Sequence, residues 1–255
     1  MSAVTAARRP LIAGNWKMHK TIVETRAFVR ELVALALPGE VDVVIAPPFT
    51  ALAAAREELG SSRIALGAQT MHDFAQGPFT GEISAPMLSE LAVSYVILGH
   101  SERRAFANES DDGINRKVRS ALAYGMTPIV AVGETLREHE LGETHAKVTL
   151  QTRAAFDGLA AEDIARCVVA YEPIWAIGAG TGDDPASAND VIQQIRASVA
   201  ALAFARILYG GSMNGENAGA LLAQPSIDGG LIGSASLTAP AFAAVIDAAR
   251  SRARA

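Results

Sequence analysis

The chain has 255 residues, of which half are hydrophobic and 19% charged, so it can bury a large core and is not a disordered protein. Its formal charge is −5 and no basic stripe interrupts it, which argues against nucleic acid as a partner. Aromatic residues make up only 5%, so Ala, Val, Ile and Leu must do most of the packing.

In chain order, an apolar run at 11–15 is followed by a segment with helical spacing at 21–36. Further runs at 41–47, 63–69, 93–100 and 127–133 alternate with Ala-rich, charge-bearing segments. A run at 167–172 precedes a predicted helix at 187–203, a run at 206–210 a shorter helix at 217–223, and a run at 227–233 a helix at 239–250. Continuous rather than alternating hydrophobicity suits strands buried on both faces, as in a parallel sheet. A closed (β/α)8 barrel and a doubly wound open sheet both fit this alternation. The polar residues separate the two. Asn15, Lys17, Gln69, His100, Glu172, Gly210, Gly211 and Gly233 sit at or just beyond the C-terminal ends of the runs. In a barrel those ends form one ring and converge on a single site, whereas in an open sheet they are strung along an edge. The expectation is one (β/α)8 TIM-barrel domain of eight parallel strands spanning 1–255.

The lone cysteine, Cys167, cannot form an internal disulfide and points to a reducing compartment. The polar opening segment 1–10 lacks the apolar core of a signal peptide, and no apolar run approaches the ~18 residues of a membrane span. A cytoplasmic location, with no membrane partner, is expected.

Several residues carry possible chemistry. Glu172 ends the run Cys-Val-Val-Ala-Tyr. A carboxylate there is partly desolvated, which suits a general base, although such a group also serves as a structural ion-pair partner. His100 ends Tyr-Val-Ile-Leu-Gly and opens a helix, where the dipole disfavours the imidazolium; a satisfied structural histidine fits equally. Lys17, two residues past Asn15, can hold an anion in a barrel mouth or lie solvated in a loop. His19, His72, His139 and His145 show no paired spacing and read as loop or surface residues, and no Cys/His set has metal-ligand spacing. Tyr-Gly-Gly-Ser at 209–212 and Gly-Leu-Ile-Gly-Ser at 230–234 expose backbone amides suited to phosphate, or serve as tight turns. Gly-Ala-Gly-Thr-Gly at 178–182 lacks the dinucleotide spacing and reads as a mobile loop, so a nicotinamide cofactor is not expected.

Seven motifs in order then carry a family resemblance. They are Gly-Asn-Trp-Lys-Met at 14–18, Gly-Ala-Gln at 67–69, Thr-Gly-Glu-Ile-Ser at 80–84 and Gly-His-Ser-Glu-Arg-Arg at 99–104, followed by Val-Gly-Glu-Thr-Leu at 132–136, Tyr-Glu-Pro-Ile-Trp-Ala-Ile-Gly at 171–178 and Tyr-Gly-Gly-Ser at 209–212. From about residue 11 to about residue 250 the chain resembles the triosephosphate isomerase family. That resemblance implies interconversion of a phosphorylated aldose and ketose through an enediolate, without cofactor or metal. Glu172 would move the proton between carbons, and His100 would polarise the carbonyl. Lys17 would stabilise the enediolate and the phosphate, Asn15 would hold substrate oxygens, and Glu102 would support the site from behind. Gly178, Ser212, Gly233 and Ser234 would contact phosphate, mostly through amides, and 173–181 would form a closing lid. The family is usually a homodimer. The loop from Gln76 to Glu82 would enter the neighbouring subunit, with Thr80 reaching its active site and Glu82 pairing with Arg103.

The chain departs from the family pattern in the lid sequence Ala-Ile-Gly-Ala-Gly-Thr-Gly, at Ser234 where a second glycine is usual, at Met213 where a small β-branched residue is common, and at Ala131 in place of cysteine. These changes admit a second reading, an isomerase of a tetrulose phosphate such as erythrulose phosphate. A third is a non-catalytic barrel that binds a phosphorylated metabolite.

Overall fold

The computed structural model describes residues 8–178 and 183–252. Eight parallel strands form a closed barrel. They are β1 (Leu11–Asn15), β2 (Asp42–Ala46), β3 (Ala65–Ala68), β4 (Tyr95–Leu98), β5 (Thr127–Val132), β6 (Val168–Tyr171), β7 (Arg206–Tyr209) and β8 (Gly229–Ile232). Closure is made by β1, which pairs with β2 through Leu11↔Asp42 and with β8 through Leu11↔Gly229. The run at 11–15 coincides with β1. The other seven runs are trimmed to these strands, although flanking residues such as Glu172 and Gly210 still donate to the neighbouring strand.

Strand parity divides the apolar residues into two layers. Leu11, Ala13, Val44, Ile129, Val168, Ala170 and Leu208 are among those that fill the barrel interior. Ile12, Ile45, Val130, Val169 and Ile207 alternate with them and pack outward against helices through Leu32, Val118, Ile192 and Phe242. Both faces of each strand are therefore buried, which is why the sequence runs are continuous. Gly229 is required at the closure: its φ is +151° and a Cβ there would lie 1.9 Å from the Leu11 carbonyl oxygen.

The helices begin where local chemistry dictates. Thr21 caps Ile22–Ala34 in a reciprocal capping box with Glu24, so Thr21 lies outside the helix. The chain turns extended at Leu35, ending the helix before residue 36. The segment predicted as one helix over 187–203 is two pieces. Pro185–Ser198 starts earlier, with proline at its first position and Asp184 accepting the Ser187 N–H. It stops at the extended Val199, after which Ala200–Ala203 forms a 3-10 turn. The predicted helices at 217–223 and 239–250 are Ala218–Leu222 and Ala239–Ala248. No helix among the described residues is long and apolar enough to cross a membrane.

Candidate active site

The C-terminal ends of the strands surround a cavity of about 350 Å³. Asn15, Lys17, His100 and Glu172 line it, as do Gly178, Ser212, Gly233 and Ser234. Eight of the nine site residues expected from the sequence thus face one space. The ninth, Glu102, lies beside it, in a neighbouring groove, and binds Lys17.

Lys17 is held in an unusual backbone conformation. Its φ is +52°, a left-handed value that costs a non-glycine residue of order 1 kcal/mol or more. Three hydrogen bonds secure it: the Lys17 N–H donates to Asn15 Oδ1 at 3.1 Å, and Gln69 Nε2 donates to the carbonyls of Lys17 at 2.8 Å and Ala46 at 2.9 Å. Gln69 is therefore a clamp across β1–β3, fixing the direction of the lysine. The Lys17 ammonium donates to Glu102 Oε1 at 2.6 Å.

His100 is the N-cap of the helix Ser101–Phe106, and its Nδ1 accepts the Glu102 N–H at 3.2 Å. A ring nitrogen that accepts an amide proton carries none of its own, which assigns the imidazole proton to Nε2. Nε2 lies 3.0 Å from Glu172 Oε1. The other carboxylate oxygen of Glu172 accepts the Ser101 N–H at 2.8 Å. Glu172 is buried, as is His100, and its backbone N–H continues the barrel ladder to the Val132 carbonyl. Glycines crowd it: a Cβ at Gly133 would lie 1.8 Å from the Glu172 carbonyl oxygen, and one at Gly210 would lie 2.9 Å from Glu172 Cγ.

The glycine turns after β7 and β8 form the rest of the wall. The N–H groups of Gly211, Ser212, Gly233 and Ser234 find no acceptor among the described residues. Unpaired amides around one cavity, with the Lys17 ammonium beside them, have the chemistry to hold an anion. Lys17 Cε comes within 3.9 Å of where a Cβ on Gly233 would sit, so the two walls face each other.

Sequence reasoning missed three features. His19, read as a loop or surface residue, is an exposed loop residue that also lines the cavity, as do Asn214 and Met213, the latter singled out only as a departure from the family pattern. Their positions four or five residues past strand ends were the available signal. Glu134 was quoted within a motif but given no role. It is fully buried, and its Oε1 accepts from Trp175 Nε1 at 2.7 Å and from the Tyr171 hydroxyl at 3.1 Å. Burial pushes its carboxyl above the usual range, with these donors opposing. It anchors the start of the segment expected to be a lid, with the His139 ring stacked on Trp175 at 4.3 Å. Residues 179–181 of that segment lie outside the described residues. Arg103 pairs within the chain to Glu109 at 2.8 Å, and Thr80 and Glu82 are exposed.

Comparison with known proteins gives the family. The sequence model of the triosephosphate isomerase family matches residues 10–249. The chain is 49% identical to a triosephosphate isomerase of Symbiobacterium thermophilum, over 95% of this chain and 97% of that one. It is 48% identical to one of Carboxydothermus hydrogenoformans, over 94% and 98%, and 46% identical to one of Caldanaerobacter subterraneus, over 94% and 99%. By length of match and identity, the chain belongs to the triosephosphate isomerase family.

Proposed function

We propose that the chain interconverts D-glyceraldehyde 3-phosphate and dihydroxyacetone phosphate through an enediolate. The observation that carries this reading is the meeting of Glu172, His100, Lys17 and a set of unpaired amides around one cavity. The phosphate sits on the free N–H groups after β7 and β8, beside Lys17. Glu172, here turned toward His100 and Ser101, swings to the substrate and takes a proton from the carbon next to the carbonyl. The electron pair left behind moves onto the carbonyl oxygen, which His100 Nε2–H and the Lys17 ammonium stabilise. Glu172 returns the proton to the neighbouring carbon, while His100 shuttles a proton between the two oxygens. The proton only changes carbon, so no net oxidant or reductant is consumed.

The triose reading is favoured over the tetrulose one by relatives 46–49% identical that are named for triose phosphate. A barrel that only binds phosphate would not need a buried carboxylate held against an oriented imidazole, which disfavours the third reading.

The test is Glu172→Gln, assayed with D-glyceraldehyde 3-phosphate and with erythrulose phosphate. Loss of a general base should lower kcat/KM by about 10²- to 10⁴-fold while competitive inhibition by inorganic phosphate persists. Unchanged turnover would remove Glu172 from the role, and faster wild-type turnover of the tetrulose would overturn the triose assignment.

A homodimer is part of the same proposal. Phe74, beside the loop 76–82, is 57% exposed, and Phe79, within it, 37%. A groove lined by Met18, Phe49, Thr70, Arg103 and Phe106 opens beside the cavity, with Met18 95% and Phe106 86% exposed. Apolar side chains so exposed on a loop and on a groove fit a second copy of the chain, the loop of each filling the groove of the other. Sedimentation equilibrium should give twice the chain mass, and Phe79→Asp should shift it to the monomer; a monomeric wild type would refute the arrangement.

A further inference from the structure

The turn after β8 contains two serines in opposite situations. The Ser236 hydroxyl is fully buried and donates to the carbonyls of Gly233 at 2.7 Å and Ile232 at 3.1 Å, so the fold itself uses it. Ser234 is exposed, lines the cavity, and its hydroxyl has no partner among the described residues. Its backbone N–H is also unpaired, and the adjoining Gly233 faces the Lys17 side chain. Glycine at 234 would leave the anion only the amide. Serine adds a rotatable O–H donor to a residue that lines the same wall, beside its own unpaired N–H.

We infer that the Ser234 hydroxyl is a further substrate-positioning group, donating a hydrogen bond to a phosphate oxygen beside the amides of Gly233 and Ser234. The inference rests on the phosphate reading of the cavity. A hydroxyl bound to a charged oxygen gains more than one bound to water, since hydrogen bonds to charged groups are the stronger class. Ser234 lies on the phosphate wall, away from Glu172 and His100, so it holds substrate and transition state alike. Its loss therefore appears in KM rather than kcat.

Ser234→Ala removes the hydroxyl and keeps the amide; Ser234→Thr keeps both. KM and kcat on D-glyceraldehyde 3-phosphate are measured with the full chain, together with the competitive inhibition constant of inorganic phosphate. Ser234→Ala should raise both KM and the phosphate inhibition constant by about tenfold, with kcat within twofold of wild type. Ser234→Thr should restore both to within threefold. The contact is refuted if Ser234→Ala leaves the inhibition constant within twofold, or if threonine fails to restore it. It is equally refuted if the alanine variant loses thermal stability in proportion to its loss of affinity, which marks a structural hydroxyl. Wild-type phosphate binding without isomerase activity would sink the proposed reaction but leave the hydroxyl contact open to the same series; wild type without phosphate binding would sink both.

Discussion

At the N-terminal end of the barrel, Asp228 is fully buried and holds three guanidiniums. Its Oδ2 accepts from Arg196 at 2.7 Å, Arg8 at 2.9 Å and the Ile207 N–H at 3.0 Å, and its Oδ1 accepts from Arg252 at 2.7 Å. Arg8 precedes β1, Arg252 follows the last helix, and Arg196 belongs to Pro185–Ser198, so one carboxylate ties three distant segments to β7 and β8. Asp228→Asn keeps the shape, removes the charge, and turns an NH2 donor toward groups that are themselves donors. Arg8 and Arg252 are 18% and 13% exposed as side chains and can swing outward. Arg196 is pinned by the carbonyls of Leu202 and Ala205. Burial lowers its pKa, Asp228 opposes that, and Arg8 and Arg252 add to the lowering. Removing one partner of a buried ion pair costs about 3–5 kcal/mol. At about 2–4 °C per kcal/mol for a chain of this size, the melting temperature should fall by roughly 10 °C. Urea unfolding and thermal melts at a single protein concentration would measure this, since association also shifts apparent stability. A loss below about 1 kcal/mol would refute the view that these arginines depend on the carboxylate.

Two further outcomes follow from the same coordinates. Gly210→Ala places a methyl 2.9 Å from Glu172 Cγ and 3.0 Å from the Tyr171 carbonyl oxygen. A displacement of the base by about 1 Å should cut kcat by about a hundredfold with a smaller change in KM; a normal kcat would show that the carboxylate tolerates the shift. Glu58 bridges Arg30 and Arg26, whose hydrogen bonds lower its pKa to about 2. Because the folded value lies below the unfolded one, its contribution is complete above about pH 4.5 and is lost as pH falls toward 2. The stability difference between wild type and Glu58→Gln should therefore be present at pH 6 and shrink between pH 4.5 and 2; a pH-independent difference would contradict the pairing.

The barrel was legible because burying both faces of every strand writes itself into continuous apolar runs, and because polar residues collected at one end of those runs. The register of closure was not legible. Pairing of Leu11 with Gly229 joins residues more than two hundred positions apart, and the φ of +151° that calls for glycine there appears only in the structure. Glu172, His100 and Lys17 could be found from their positions at strand ends. What orients them could not, since the clamp on Lys17 comes from Gln69 on another loop and the donor to Glu172 is the backbone of Ser101. The break at Val199 escaped notice because alanines on both sides sustain helical spacing through it.

Lys17 and Glu172 are each held in part by a group from outside their own strand. Lys17 is fixed from β2 and the loop after β3, Glu172 from the helix that follows β4, and the room for Glu172 is set by glycines after β5 and β7. A site built this way cannot form until most strands are in register, so chemistry depends on completion of the barrel rather than on any local motif. It also localises where variation is tolerated. Around Glu172, even a Cβ at Gly133 would overlap backbone at 1.8 Å, whereas Gly233 meets nothing closer than the flexible end of Lys17 at 3.9 Å. The wall with room is the one where this chain carries serine at 234. On the proposed reaction, a side chain added there would meet the phosphate without disturbing the base, so substrate affinity would change on that wall while proton transfer would not.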